Sequence, residues 1–107
     1  VVEVYALNNA PTEPAPGEWG MRAPLLEANS ELAFAELNGK LYLLGGYPAS
    51  RVTVRTVQVY DIVSDRWQLG PQLPLPNNHG MAASVNGKIY LIGGRPRRMT
   101  PRALTAT

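Results

Sequence analysis

The chain contains no cysteine, and its only histidine is His79. The first absence excludes disulfides, zinc–thiolate centres and thiol catalysis, while leaving the compartment open. The second leaves too few imidazoles for a copper site, which calls for at least two. Long apolar runs are also missing. None approaches the roughly 20 residues that a membrane helix needs, so no membrane span is expected. Residues 1–5 (VVEVY) show neither the basic n-region nor the apolar h-region of a signal peptide. The chain does not open on Met, so its reading frame is expected to extend upstream. There is no HExxH, no acidic calcium loop, no glycosylation sequon and no GxGxxG or GxxxxGK[ST] loop. Zincin, EF-hand and nucleotide-binding chemistries lose their sequence basis, and no metal or cofactor is expected.

Glycine and proline are plentiful, at ten each among 107 residues. That exceeds the usual combined share of roughly 12% and favours turns and short strands over long helices. Charge is unevenly spread. Arg95, Arg97, Arg98 and Arg102 all follow Gly94, whereas the residues before it carry six Lys/Arg against eight Asp/Glu. The net +2 therefore comes from residues 95–107, read as a basic, solvated tail without fixed structure. Nucleic-acid readers interleave basic residues with aromatics. The body of this chain is slightly acidic, so a nucleic-acid partner is not expected.

The strongest signal is internal. Residues 38–46 (NGKLYLLGG) return as 86–94 (NGKIYLIGG), 48 positions later. Seven of the nine residues are identical and the other two exchange Leu for Ile. Trp19 and Trp67 share that spacing. A fixed period of this size marks a repeat architecture. Each repeat divides into four strand candidates. The first are 30–37 and 78–85, and the second 40–46 and 88–94. The third are 52–60 and, at the start of the chain, 1–5. The fourth surround Trp67 and Trp19. Asn38-Gly39 and Asn86-Gly87 are preferred pairs for type I′ hairpin turns, where both residues take positive φ. The alternation of apolar residues in 52–60 changes parity near Arg55-Thr56, which places a turn or bulge there and the strand proper after it.

Residues 25–37 (LLEANSELAFAEL) taken alone favour a helix. Their copy at 73–85 (LPLPNNHGMAASV) carries two prolines and a glycine and cannot form a regular helix. Copies of one repeat share one fold, so both are read as a loop followed by a strand. The copies differ in one spacing: Tyr60 to Trp67 is seven residues, Tyr5 to Trp19 fourteen. The excess falls in 8–17 (NNAPTEPAPG), a lengthened loop between strands three and four.

Gly45-Gly46 closing an apolar strand, then Tyr60-Asp61, then Trp67, resembles a kelch repeat. Tyr5 and Trp19 match the end of a preceding unit, and Gly93-Gly94 the first half of a following one. The resemblance is clearest to bacterial members. It implies an all-β fold, a partial kelch-type β-propeller of about two four-stranded antiparallel blades. It divides the chain into the second half of a repeat (1–20), a complete repeat (21–70), the first half of another (71–94) and the tail (95–107). Propellers typically have four to eight blades. The chain is therefore expected to be a fragment of a larger propeller, with self-association as the other way to close the ring.

The same resemblance assigns Gly45, Gly46, Tyr60, Trp67, Gly93, Gly94, Tyr5 and Trp19 to architecture rather than catalysis. It implies a non-catalytic protein-interaction module, whose partner is met by loops. The loop candidates are 46–54, with Tyr47 and Arg51, then Arg55, and the lengthened 8–17. Tyr and Arg are the residue types enriched at binding hot spots. A copper-radical sugar oxidase of kelch type is ruled out, because its cofactor needs a Tyr–Cys cross-link. The alternative is a sugar-handling propeller, a carbohydrate binder or an enzyme like the sialic-acid mutarotases. Glu31 and His79, at matching repeat positions before strand one, are then the channel candidates for acid–base work.

Overall fold

A computed structural model describes residues 2–5 and 15–96. All its regular elements are strands: β1 (Val2–Tyr5), β2 (Trp19–Arg22), β3 (Ala33–Leu37), β4 (Lys40–Leu44), β5 (Val57–Asp61), β6 (Arg66–Leu69), β7 (Met81–Val85) and β8 (Lys88–Ile92). They form three antiparallel sheets, β1-β2, β3-β4-β5-β6 and β7-β8. This is one complete four-stranded blade flanked by two halves. Residues 25–32 carry no helix, and the strand begins at Ala33. The basic residues Arg97, Arg98 and Arg102 lie outside the described residues, as do positions 8–14 of the lengthened loop.

The local chemistry explains each hairpin. Asn38 and Gly39 take φ of 53° and 79°, and Asn86 and Gly87 take 51° and 76°. Both central residues of each turn are thus left-handed, as type I′ requires. The turn between β5 and β6 is longer and uses another device. Asp61 Oδ1 accepts from the backbone N–H of Val63 and Ser64 at 3.0 and 3.1 Å, while Asp65 closes the turn at φ 55°. Those N–H groups, Ser64's first, hold the Asp61 carboxyl below the usual carboxylate range. The 45–56 connection is irregular, and β5 starts at Val57, just past the change of parity.

Strand pairing aligns the side chains into two faces. The forward face of the central sheet carries Ala33, Ala35, Tyr42, Leu44, Val57 and Val59. The core lies there, where Ala33, Leu44, Val57 and Val59 are buried against Ala82, Ile89 and Leu91 of the third sheet. The rear face carries Phe34, Leu41, Leu43, Gln58 and Tyr60. Arg22, at the end of β2, and the connection from β2 to β3 reach it at Tyr60 and Gln58. The Gln58 side-chain amide, 1% exposed, both accepts from Glu27 N (3.2 Å) and donates to Glu27 O (3.1 Å), pairing fully with that connection.

Candidate functional site

Two structures dominate the described chain: the junctions between sheets, and one irregular end of the central sheet. The first junction is built on Tyr60 and Trp67, cross-strand partners whose rings lie 4.7 Å apart at 37°. Tyr60 is 3% exposed, and its hydroxyl donates to Asp65 Oδ1 at 2.6 Å. Arg22, at the end of β2, reaches across. Its Nε donates to the Tyr60 hydroxyl oxygen at 2.7 Å and lies 3.3 Å from Asp65 Oδ1, and its Nη2 donates to Ile62 O at 2.6 Å. Its guanidinium also sits 5.9 Å from the Tyr60 ring centre. Ala23 completes the seam, donating to Asp65 Oδ1 and accepting from Trp67 Nε1, both at 2.8 Å. Burial, then the bond to Asp65, pushes the Tyr60 hydroxyl above its ordinary pKa. The Tyr60 hydroxyl, the Ala23 N–H and Arg22 hold the Asp65 carboxyl below its own.

The second junction uses the glycine doublets. Asn29 Nδ2 donates to Gly45 O at 2.7 Å, and Asn77 Nδ2 to Gly93 O at 2.8 Å. Asn29 and Asn77 are themselves 48 residues apart, so this clasp is a property of the repeat. It needs glycine: a Cβ on Gly46 or on Gly94 would overlap the amide of its asparagine. The doublet is tied forward as well, because Gly46 N donates to Asn77 O at 2.8 Å. Asn29 Oδ1 accepts from Ser30 N at 2.8 Å. In the second copy Asn78 N donates instead to Arg95 O, and Asn77 Oδ1 is buried with no donor among the described residues.

The loop end collects the residues that the sequence marked for binding. Tyr47 is half-buried, and its backbone exchanges bonds with Ser30, N to O at 2.8 Å and O from Ser30 Oγ at 2.7 Å. Arg51 is exposed at φ 62°. Arg55 is exposed too, but its Nε donates to Leu73 O at 2.7 Å and pins the β6–β7 connection. Glu31 and His79 stand at equivalent turns, φ 58° and 61°, and the structure brings them together. His79 Nδ1 lies 3.0 Å from Glu31 Oε2 and 3.0 Å from Asn78 Oδ1. Two acceptors on one ring nitrogen place the proton on Nδ1. Asn78, 0% exposed, is fixed beneath by donating to Thr53 Oγ1 at 2.6 Å. Among the described residues, no group of three or more His, Cys, Asp or Glu could hold a metal ion, and no helix is long and apolar enough to cross a membrane.

The family model for the kelch motif matches residues 29–74, the span from the Asn29 clasp through Trp67 to the next connection. Residues 29–74 carry a kelch motif. Its segment is 48% identical over 62 residues to Kelch-like protein 36 of Mus musculus, covering 57% of this chain and 10% of that protein. It is 38% identical over 64 residues to Kelch-like protein 33 of Homo sapiens, covering 60% and 12%. To Kelch-like protein 22 of Homo sapiens it is 39% identical over 59 residues, covering 53% and 9%. The match thus spans about a tenth of each relative. All three relatives are mammalian, so the likeness to bacterial members finds no support in them.

Within this kelch chain the four strands and the doublets were legible from the 48-residue echo. The Asn29/Asn77 clasp obeys the same spacing, and that spacing is its sequence signal. Arg22 and Asp65 carried no such signal. The position equivalent to Arg22 is Gly70, so the ion pair occurs at one junction only. Strand order also separates the two loop candidates. The 46–54 loop joins strands two and three, while 8–17 joins strands three and four, so they leave opposite ends of their sheets.

Proposed function

We propose that the chain is a non-catalytic protein-interaction segment, part of a larger kelch propeller, that meets a protein partner at the loop end of its complete blade. One observation carries the reading. The 45–56 connection is held almost wholly by its backbone, through Gly45 N to Thr56 O, Val54 N to Gly46 O, Arg51 N to Pro48 O and Asn77 N to Val54 O. Its side chains Tyr47 and Arg51 are thereby presented on a fixed frame, next to Glu31 and His79. A pre-organised loop with an aromatic and a cation suits recognition, because little is lost in ordering it. The repeat divisions at 70 and 94 fall just after β6 and β8, whereas the division at 20 cuts β2, so the first half-repeat is drawn here to Arg22.

Affinity capture with the full chain tests this reading. Proteins held by the chain should be lost from a Tyr47→Ala/Arg51→Ala variant and retained by Val63→Ala, at the opposite end of the blade. Equal capture by all three would refute it. The sugar-handling alternative rests on the Glu31–His79 pair and makes a different forecast. Free sugars would raise the melting temperature of the chain, and Glu31→Gln would abolish that rise.

A further inference from the structure

The two hairpin tips repeat each other except in one side chain. Asn38-Gly39 and Asn86-Gly87 form the same left-handed pair of turn residues, and all four are exposed. They are flanked alike, by Leu37 and Lys40 on one turn and by Val85 and Lys88 on the other. The difference lies three residues before each glycine. Glu36 stands there in the first copy, and its Oε2 accepts from Gly39 N at 2.9 Å. Its counterpart is Ser84, a shorter and uncharged side chain. Among the described residues, nothing accepts from Gly87 N.

That N–H matters because Asn-Gly is chemically fragile. Glycine has no Cβ to bar its nitrogen from approaching the preceding side-chain amide. When Gly87 N attacks Asn86 Cγ, the N–Cγ bond forms and the Cγ–Nδ2 bond breaks. The proton of Gly87 N departs with Nδ2 as ammonia. Water then opens the cyclic imide. Opening at Cγ leaves aspartate, and opening at the main-chain carbonyl leaves isoaspartate. The nitrogen must first give up its proton. An N–H that donates to a carboxylate is held in place, and the adjacent negative charge opposes its ionisation. Glu36 therefore restrains Gly39 N, and Ser84 gives Gly87 N no such restraint.

The contrast is set by residues of the hairpins themselves. In the complete blade the end of the neighbouring strand meets the glycine through its carbonyl, Ile62 N donating to Gly39 O at 3.3 Å. A further strand beside β8 would meet Gly87 O in the same way and leave the Gly87 N–H as it is.

We propose that Asn86 is a site of spontaneous covalent modification, converting through a cyclic imide to aspartate and isoaspartate, and that Glu36 protects Asn38 from the same reaction. The two products differ in effect. Aspartate accepts positive φ as asparagine does, so the turn survives with an added charge beside Lys88. Isoaspartate puts an extra carbon into the main chain, which a two-residue I′ turn cannot hold.

Mass-spectrometric peptide mapping of the 107-residue chain, aged in neutral buffer, provides the test. Trypsin places each pair in its own peptide, ending at Lys40 or Lys88, and fragment ions locate the exchange of NH2 for OH. In the folded chain Asn86 should convert roughly 3- to 10-fold faster than Asn38, the factor that one hydrogen bond to the nitrogen supplies. Glu36→Ala should raise the Asn38 rate by about that factor and leave Asn86 unchanged, while Ser84→Glu should slow Asn86. Both substitutions fall at exposed positions. In concentrated urea, where neither turn persists, the two wild-type rates should converge. Equal rates in the folded wild-type chain would overturn the assignment. So would a rate that ignores either substitution, or a difference that survives in urea.

Discussion

Gly45 and Gly93 occupy the same place in successive repeats, and replacing each with alanine separates two costs that usually come together. Both residues are left-handed, at φ 67° and 71°. An alanine at such a φ costs roughly 1–2 kcal/mol for its Cβ alone. Their surroundings differ. A Cβ on Gly45 would overlap the Asn77 carbonyl oxygen and come within 3.3 Å of Leu73 Cδ1, whereas one on Gly93 would meet nothing within 4 Å. Asn77 is backbone and cannot rotate away, so the connection must shift, loosening the bond from Gly46 N to Asn77 O. That bond is worth about 1 kcal/mol, and the forced displacement adds roughly 1–3 kcal/mol. Gly93→Ala should therefore destabilise by about 1–2 kcal/mol and Gly45→Ala by about 3–6 kcal/mol. Equilibrium urea unfolding, followed by tryptophan fluorescence and circular dichroism, reads the difference. A stabilising osmolyte held constant keeps the weaker variant folded. Equal destabilisation, within about 0.5 kcal/mol, would refute the claim that the neighbouring connection makes Gly45 obligatory.

Three further outcomes follow from the junctions. Asn29→Ala loses bonds to Gly45 O and from Ser30 N, and should cost about 2 kcal/mol. Asn77→Ala loses one bond but also removes a buried acceptor without a donor, and should cost under about 1 kcal/mol; the same urea titration ranks them. Tyr60→Phe keeps the ring on Trp67 but removes the hydroxyl between Arg22 and Asp65, for a loss of about 1.5–3 kcal/mol by denaturation. Because the folded Asp65 carboxyl is depressed, its contribution is present above the unfolded carboxylate pKa of about 3.9 and is lost as pH falls through the lower folded value. Acid titration by tryptophan fluorescence should show that loss, and Asp65→Asn should flatten it; an unchanged acid limb would count against the Asp65 seam.

Strands and hairpins were readable in the sequence because a repeat states each local choice twice. Residues 25–37 favour a helix by composition, and only their proline-bearing copy shows that tertiary structure overrides that preference. The turns at Asn38-Gly39 and Asn86-Gly87 were equally legible, since few other pairs accept two positive φ values. The first junction was not. Arg22 and Asp65 lie 43 residues apart at positions that are not counterparts, and periodicity is silent about a contact made once. Nor could the meeting of Glu31 with His79 be read. Sequence places them in equivalent slots of adjacent repeats, but only the lateral stacking of blades brings those slots within 3.0 Å.

The 45–56 connection has a further consequence. Its main chain is anchored by main-chain partners, with few side chains taking part in its own support, Thr53 and Arg55 being the chief ones. Tyr47, Ala49, Ser50 and Val52 can therefore be exchanged for residues other than proline, and Arg51, at φ 62°, for glycine, asparagine or aspartate, with little effect on the path of the loop. Shape is stored in one set of atoms and identity in another. A library varied within those limits at these five positions should yield blades that fold alike and differ in what they touch.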